Sequence, residues 1–182
     1  MKETNPQINN QQGSSFEALP QRGSGEGASF FSYLASQYKS ELLDRVVPFW
    51  LQNSIDNEFG GYFTCIERNG EVYDTDKFIW LQGREVWMLS TLYNKVEKRQ
   101  DWLDAAIQGA EFLRKYGHDG QLNWYFSLDR QGHPLVEPYN IFSYTFAVIA
   151  FGQLYKATGN KEYADIAKKT FDIVLAKRTN PK

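Results

Sequence analysis

Two stretches of the chain are apolar on nearly every side of a helix. The first runs from Asp76 to Val96, and the second covers residues 139–156. A helix without a polar face has to be surrounded by protein, so both stretches are predicted to be inner helices. Two further stretches, 101–116 and 161–177, carry apolar residues at helical spacing along one side only. These are predicted to be outer helices that keep one face in solvent.

Short predicted hairpins separate the helices. The first places Tyr62-Phe63 before an Asn69-Gly70 turn and Val72-Tyr73 after it. The second covers residues 122–136 and also turns at a glycine. Each unit of the chain is therefore a hairpin, an all-apolar helix and an amphipathic helix.

The N-terminal part of the chain has a different composition. Residues 1–27 are rich in Gln, Asn, Ser and Gly and are predicted to form a disordered polar tail, because they offer little apolar surface to bury. The folded domain is predicted to cover residues 28–182. A helical pattern from Ala28 to about Asn53 contains Pro48, which should kink or end that helix.

The units repeat along the sequence. Tyr125-Phe126 repeats Tyr62-Phe63, and Tyr163-Ala164-Asp165 repeats Trp102-Leu103-Asp104, at offsets of about 61 to 63 residues. Such a repeat predicts an all-α toroid with inner and outer helices and hairpins at one mouth. A closed ring of six pairs would need about 370 residues. We therefore expect these 182 residues to hold an incomplete ring of about five helices, as a fragment, a truncated product or a half.

Charge and cysteine content narrow the function classes. The net charge is −2, which gives no electrostatic reason to expect nucleic acid or a membrane surface as a partner. The single cysteine, Cys65, excludes an internal disulfide and suits a reducing cytosol. No apolar run reaches membrane-spanning length, and the polar N-terminus lacks a signal-peptide core. The expected location is the cytoplasm.

A permanently charged arginine lies in the middle of the first inner helix. Arg84 follows Trp80 by one turn, so the two side chains share a face. A guanidinium is always charged and is costly to bury without a partner. Arg84 should therefore either pair with a carboxylate such as Asp76 or Glu137, or face a polar cavity.

Two segments resemble the N-acylglucosamine 2-epimerase family. They are residues 60–94, which contain the specific block KxxWLQGRxxW, and residues 137–167, within a resemblance that covers about 45–177. The resemblance implies an (α/α)6 barrel, usually a homodimer, that acts on a small-molecule sugar. It also implies no cofactor, although some members are stimulated by nucleotides. The named enzyme interconverts N-acetylglucosamine and N-acetylmannosamine, and other members are cellobiose 2-epimerases or mannose-type epimerases and isomerases.

The resemblance suggests which residues bind the sugar. Arg84 matches a family arginine that contacts substrate oxygens near C1 and C2 and would polarise the carbonyl. Trp80 would pack against the sugar, or would be an ordinary core residue. Tyr62 would reach into the mouth and bind a hydroxyl, or would pack within the hairpin. Asn140 and Tyr144 share a face of the second inner helix and would supply polar contacts, with a helix N-cap as the alternative for Asn140. Gln82 and Ser143 are weaker candidates.

The family's two catalytic histidines have no match in this chain. Epimerisation at C2 needs a base that removes the proton and an acid that returns it on the other face. The only histidines, His118 and His133, are predicted to lie in surface loops. We therefore expect the acid and base to lie outside these residues, and the chain alone to be inactive.

Other functions stay open at this point. An aldose–ketose isomerase or a cellobiose 2-epimerase-like enzyme would use the same chemistry. A glycosidase on a similar barrel needs two carboxylates across its cleft, whereas the inner helices offer only Asp76 at an end and Glu85 off the face of Arg84. A non-catalytic fragment that binds protein through its unfinished apolar face is the remaining alternative.

Overall fold

The chain is mainly helical. A computed structural model describes residues 27–138 and 141–179. The described residues form six α-helices and divide into two compact units, one ending at Leu42 and one beginning at Leu43. The helices are α1 Gly27–Ser40, α2 Val47–Asn53, α3 Ile79–Lys95, α4 Gln100–Tyr116, α5 Phe142–Thr158 and α6 Lys161–Lys177. Most of the predicted tail lies outside the described residues.

Five short strands form two small antiparallel sheets. They are β1 Cys65–Ile66, β2 Val72–Asp74, β3 Lys77–Phe78, β4 Ser127–Leu128 and β5 Pro134–Val136. The first hairpin pairs β1 with β2, whereas the second hairpin, β4–β5, adds β3 as a third strand. The prediction that the first inner helix begins at Asp76 was therefore wrong, because Lys77 and Phe78 pair with the second hairpin instead.

The helices alternate between an inner and an outer position as predicted. α3 packs against α5 side by side, α4 packs behind α3, and α6 packs behind α5. The buried core lies between these layers and includes Val86, Trp102, Leu113 and Phe151. The described residues form a wall of this kind and do not close into a barrel.

Gly83 sets the distance between the two inner helices. A methyl group at this position would meet the backbone of Phe146 on α5 at 3.1 Å, which is tighter than ordinary van der Waals contact. The absence of a side chain therefore lets α3 and α5 approach closely next to Arg84.

The hairpin tips pack in a repeated manner. Gly70 has a φ of +91° and lies against Asn53 at the end of α2, while Gly132 has a φ of +99° and lies against Tyr116 at the end of α4. A side chain at either position would be strained by the positive φ and would collide with its neighbour. Each turn glycine thus docks its hairpin on the outer helix that precedes it.

The helix break near Pro48 falls earlier than predicted. Residues Glu41–Val46 form a π-helical segment, and Pro48 lies in the first turn of α2. Proline clashes with the carbonyl four residues before it, so the preceding turn widens while the proline itself begins the next helix. α6, by contrast, was predicted with the right bounds, and the Asn160 side chain accepts a hydrogen bond from the Glu162 N–H at 3.0 Å at its start.

Candidate functional site

Arg84 lies on an exposed face of α3. Its side chain is exposed, and Trp80 one turn before it and Trp87 one turn after it are at least partly exposed as well. No described residue forms an ion pair or hydrogen bond with the guanidinium. The alternative in which Arg84 pairs with Asp76 or Glu137 is therefore wrong, and the described residues leave the face of α3 around Arg84 uncovered. The guanidinium is free to bind an anionic or carbonyl oxygen.

An aromatic cluster lies beside Arg84 and joins the two inner helices. The Trp80 ring is 5.7 Å from both the Phe142 and Phe146 rings, measured between centroids, and these two phenylalanine rings are 5.2 Å apart. Phe142 is 50% exposed, whereas Phe146 and Trp80 are half-buried. Trp80 therefore lies at the surface beside Arg84 and is not an ordinary core residue.

Tyr62 lies in the core and not at a mouth. It is fully buried, and its hydroxyl donates a hydrogen bond to the Ala105 carbonyl oxygen at 2.7 Å. The ring fits over Gly109 of α4, where a methyl group would overlap it. The expected contact with substrate is replaced by packing of the hairpin on the outer helix, because the hydroxyl already has a buried partner.

The Gln82 side chain binds the backbone of Tyr62 through two hydrogen bonds. Its amide nitrogen donates to the Tyr62 carbonyl at 2.8 Å, and its amide oxygen accepts from the Tyr62 N–H at 2.8 Å. Both groups are buried, so this side chain substitutes for a strand partner. Gln82, one of the weaker candidates for the sugar site, serves the fold.

Tyr144 is also buried rather than exposed. Its hydroxyl donates to Asn123 Oδ1 at 3.3 Å and accepts from Lys177 Nζ at 2.8 Å. The α6 terminus and the second hairpin thus already bind the hydroxyl, and the substrate contact expected for Tyr144 stays a prediction. Ser143 is 2% exposed. Asn140 lies outside the described residues, so its predicted role stays a prediction.

A buried charge cluster ties the start of α3 to both hairpin regions. The Lys77 ammonium donates to Asp56 Oδ2 at 2.9 Å and to the Arg130 carbonyl at 2.9 Å, and it also reaches the Gly60 carbonyl. The Arg130 guanidinium contacts the same Asp56 carboxylate at 3.0 Å and Glu58 at 2.9 Å. Lys77 therefore has a structural role, because its charge is bound entirely by the fold.

The pKa of Asp56 reflects these contacts. Burial alone would raise it, but hydrogen bonds from Arg130, Lys77 and two backbone N–H groups outweigh burial and hold the pKa well below its usual value. Asp56 is therefore ionised at neutral pH, and the cluster is a charged one.

Glu85, next to Arg84 in sequence, points the other way. It is 9% exposed and accepts a hydrogen bond from the Ser54 hydroxyl at 2.6 Å. Burial raises the pKa of Glu85 to about 7, against the effect of the Ser54 hydrogen bond, which favours the charged form. No described cation pairs with it. Glu85 thus belongs to the core and not to the exposed face of α3.

Neither histidine lies near Arg84. His133 is at the tip of the second hairpin, 71% exposed in its side chain and 2.9 Å from Asp129. His118 packs on Trp124 and lines a cavity of about 500 Å³ between the outer helices α4 and α6. Burial lowers the pKa of His118. Both therefore lie in loops, although His118 is only partly exposed.

The described residues offer no group of three or more His, Cys, Asp or Glu side chains that could hold a metal ion. Within the same residues, no helix is long and apolar enough to cross a membrane.

Comparisons with known proteins assign the chain to a family. The profile of the N-acylglucosamine 2-epimerase (GlcNAc 2-epimerase) family matches residues 61–182. The N-acylglucosamine 2-epimerase of Mus musculus is 42% identical over 137 residues, which cover 73% of this chain and 33% of that protein. The chain therefore belongs to the N-acylglucosamine 2-epimerase family.

Bacterial proteins show how far the similarity extends. The cellobiose 2-epimerase of Bacteroides fragilis is 27% identical over 143 residues, 78% of this chain and 36% of that protein. The crystal structure of a sugar epimerase from a ruminal bacterium matches with a TM-score of 0.73 and 26% identity, over 79% of this chain and 37% of that one. The chain thus spans about one third of the length of the relatives it matches.

The aromatic pair Phe142 and Phe146 was missed by the sequence interpretation, which treated both as ordinary residues of an apolar helix. They are spaced one turn apart, as are Trp80 and Arg84 on α3. Because both pairs have this spacing on predicted inner helices, the sequence could have indicated that Phe142 and Phe146 lie beside Trp80 and Arg84.

Proposed function

We propose that this chain is the substrate-binding wall of a sugar epimerase that interconverts N-acetylglucosamine and N-acetylmannosamine. The observation that carries the proposal is the exposed, unpartnered Arg84 beside an aromatic cluster on the face shared by the two inner helices. Membership of the N-acylglucosamine 2-epimerase family supports the reaction type.

The reaction needs an oxygen-binding cation. In the open-chain sugar, the proton on C2 is acidic because the adjacent C1 is a carbonyl carbon. A base removes this proton, the negative charge moves to the carbonyl oxygen as an enediolate, and an acid returns a proton to the other face of C2. A positioned cation at the oxygen lowers the barrier, because the charge develops there in the transition state.

Arg84 fits the role of that cation. Its guanidinium stays charged at any relevant pH and offers several N–H donors in a plane. Since no described carboxylate neutralises it, its charge is available to a ligand. Trp80 on the same face supplies apolar surface for the sugar.

The proton-transfer groups do not come from the described histidines. His133 is already held by Asp129 at a hairpin tip, and His118 lies at the outer helices. We therefore expect no epimerase turnover from these 182 residues alone. Clear conversion of N-acetylmannosamine by the purified chain, followed by proton NMR, would contradict this part of the proposal.

Binding tests the role of Arg84 directly. Replacing Arg84 by Ala in the purified chain should abolish N-acetylmannosamine binding in saturation-transfer NMR while leaving the thermal unfolding midpoint unchanged. Lys95→Ala is the matched control, because it removes an exposed cation from the last turn of the same helix. If Arg84→Ala binds the sugar as well as Lys95→Ala does, Arg84 has no part in the site.

The competing functions have less support. Hydrolysis needs two carboxylates facing a sugar, but the exposed faces of α3 and α5 carry none, since Glu85 is buried. A protein-binding role for the exposed apolar residues predicts self-association or protein capture without sugar binding. A homodimeric enzyme is also part of the proposal, supported by the family resemblance, and a cytoplasmic location is proposed from the single cysteine.

A further inference from the structure

The tip of the first hairpin carries an asparagine–glycine pair. Asn69 is the only asparagine of the chain that is followed by glycine, and it is exposed. Because glycine has no side chain, the Gly70 backbone nitrogen is unshielded and can approach the Asn69 carboxamide. This pair is therefore the place in the chain where an asparagine can react most easily with its own backbone.

The reaction is a deamidation that needs only water. The Gly70 nitrogen loses its proton to solvent and attacks Asn69 Cγ, so that a bond between this nitrogen and Cγ forms. The bond from Cγ to Nδ2 breaks, and Nδ2 takes one proton from solvent and leaves as ammonia. Water then opens the cyclic imide at either of its carbonyl groups, which gives aspartate or isoaspartate.

Hydrogen bonds of the turn hold the attacking nitrogen back. The Gly70 N–H donates to the Glu67 carbonyl at 2.9 Å, and the Glu67 N–H donates to the Glu71 carbonyl at 2.8 Å. The Asn69 carboxamide is also engaged, since its Oδ1 accepts from the Glu71 N–H at 3.1 Å. The turn therefore has to open before the Gly70 nitrogen can lose its proton and turn toward Cγ.

The contact of the hairpin tip with α2 adds to this restraint. Gly70 lies against the Asn53 side chain, and Asn53 Nδ2 donates to the Phe49 carbonyl at 2.8 Å, which fixes this amide at the end of α2. The Gly70 backbone cannot rotate freely while it is packed against the amide. The contact with α2 should therefore slow the reaction.

The second hairpin contains the same turn with a different residue at the reactive position. The Gly132 N–H donates to the Asp129 carbonyl at 3.1 Å, and the Asp129 N–H donates to the His133 carbonyl at 2.9 Å, as at the first tip. Gln131 stands where the first hairpin has asparagine, and it is exposed as well. Its longer side chain would have to close a larger and less favourable ring. Gln131 is therefore an internal control at a matched position.

We propose that Asn69 is a site of chemical modification, where the backbone converts asparagine to aspartate and isoaspartate when the first hairpin opens from α2. This inference is independent of the sugar-binding role proposed for Arg84. Aspartate keeps an acceptor for the Glu71 N–H, so the turn can form again. Isoaspartate lengthens the main chain before Gly70, so the Glu67 hydrogen bonds across the turn no longer match.

Peptide mass spectrometry tests the site and its restraint. The purified chain is incubated at neutral pH, either folded or unfolded in guanidinium chloride, and the two products at Asn69 are separated by chromatography. We expect conversion to be about tenfold slower in the folded chain, because the hydrogen bonds of the turn must open first. No conversion is expected at Gln131 in either state over the same time.

Variants separate the turn chemistry from the contact with α2. Asn69→Gln makes the first tip like the second and should abolish conversion. Asn53→Ala removes the side chain that packs on Gly70, so it should bring the folded rate toward the unfolded rate and speed up hydrogen exchange of the Gly70 N–H. Exchange of the Leu89 N–H, in the core of α3, shows whether this variant opens locally or unfolds as a whole. Gln52→Ala is the matched control, because it removes an exposed amide from the neighbouring position of α2.

The outcomes distinguish the site from its restraint. Conversion of another asparagine before Asn69 in the unfolded chain, or conversion of Gln131 at the same rate, overturns the assignment of the site. Equal rates in the folded and unfolded chain, or equal rates in Asn53→Ala and Gln52→Ala, overturn the restraint by the hairpin. Slow conversion in the folded chain that only Asn53→Ala accelerates supports the proposal.

Discussion

Lys77 and Arg84 are two cations of the same short motif with opposite surroundings. Lys77 is fully buried in β3, just before α3, and is bound by the Asp56 carboxylate and two backbone carbonyls. Arg84, seven residues further along and within α3, is exposed, and no described residue pairs with it. The same sequence block thus holds one cation that is paired within the fold and one that is available to a ligand.

The difference shows how to separate structural charges from binding charges in this wall. A buried charge must be paired because desolvation would otherwise cost several kcal/mol, so its partners are part of the fold. An exposed charge costs little to keep and can bind a ligand at no expense to stability. Lys77 and Arg84 should therefore respond in opposite ways to mutation.

The largest expected effect is at Lys77. Replacing Lys77 by Met removes one partner of a buried pair and should lower the free energy of unfolding by about 3 to 5 kcal/mol, because Asp56 loses a cation that Arg130 replaces only in part. Urea denaturation of the purified chain measures this change. Arg84→Met is the matched comparison and should shift stability by less than about 0.5 kcal/mol. Equal effects at the two positions would contradict the distinction between them.

The next effect concerns Glu85, a buried carboxyl without a cation. Its pKa is raised by burial to about 7, from an ordinary value of 4.5, so the folded state binds more protons than the unfolded state between these pH values. The stability contributed by protonated Glu85 is therefore present below pH 4.5 and is lost as the pH rises through 7. At pH 8, Glu85→Gln should be more stable than the unchanged chain by up to about 3 kcal/mol.

The comparison of the two proteins at several pH values isolates Glu85 from other groups. His118, whose pKa is lowered by burial, changes stability in the opposite direction near pH 6.5, but it does so equally in both proteins. The difference between the two unfolding free energies should vanish near pH 4. A difference that does not vary with pH would mean that Glu85 is ionised normally in the folded state.

The smallest effect is expected at Tyr62. Replacing Tyr62 by Phe removes the 2.7 Å hydrogen bond to the Ala105 carbonyl and should lower the free energy of unfolding by about 1 kcal/mol. Because the hydroxyl is buried in the core, N-acetylmannosamine binding should not change. If Tyr62→Phe lost sugar binding without losing stability, Tyr62 would be a sugar-binding residue and its assignment to the core would be contradicted.

The sequence was sufficient for the helices and for the exposed arginine. α6 begins at a capping Asn160 and its apolar stripe has one period throughout, so local signals determined it completely. The Arg84 position was identified because a permanently charged side chain in the middle of an apolar helix is conspicuous. Its exposure confirms that it faces away from the core, although its surroundings could not be predicted from the helix alone.

Contacts between distant residues explain what could not be predicted. Tyr62 and Tyr144 carry hydroxyls that suggested ligand contacts, but Ala105 and Lys177 bind them across the fold. Lys77 and Phe78 continue an apolar helical pattern, yet they form a strand because the second hairpin supplies backbone partners. In each case the residue's partner lies in another helix or strand, and the periodicity of one segment does not predict contacts with another.

The pairing of β3 with β4 has a consequence for synthesis of the chain. Lys77 and Phe78 leave the ribosome before α3, α4 and the second hairpin exist, so the β3 backbone is hydrated until Ser127 and Leu128 follow. The backbone hydrogen bonds of β3, in the first repeat, are therefore formed by a strand of the second repeat, which is synthesised later. A nascent chain can fold its first inner helix early and can bind Lys77 to Asp56, but it can complete the backbone pairing of β3 only after the second hairpin has been translated.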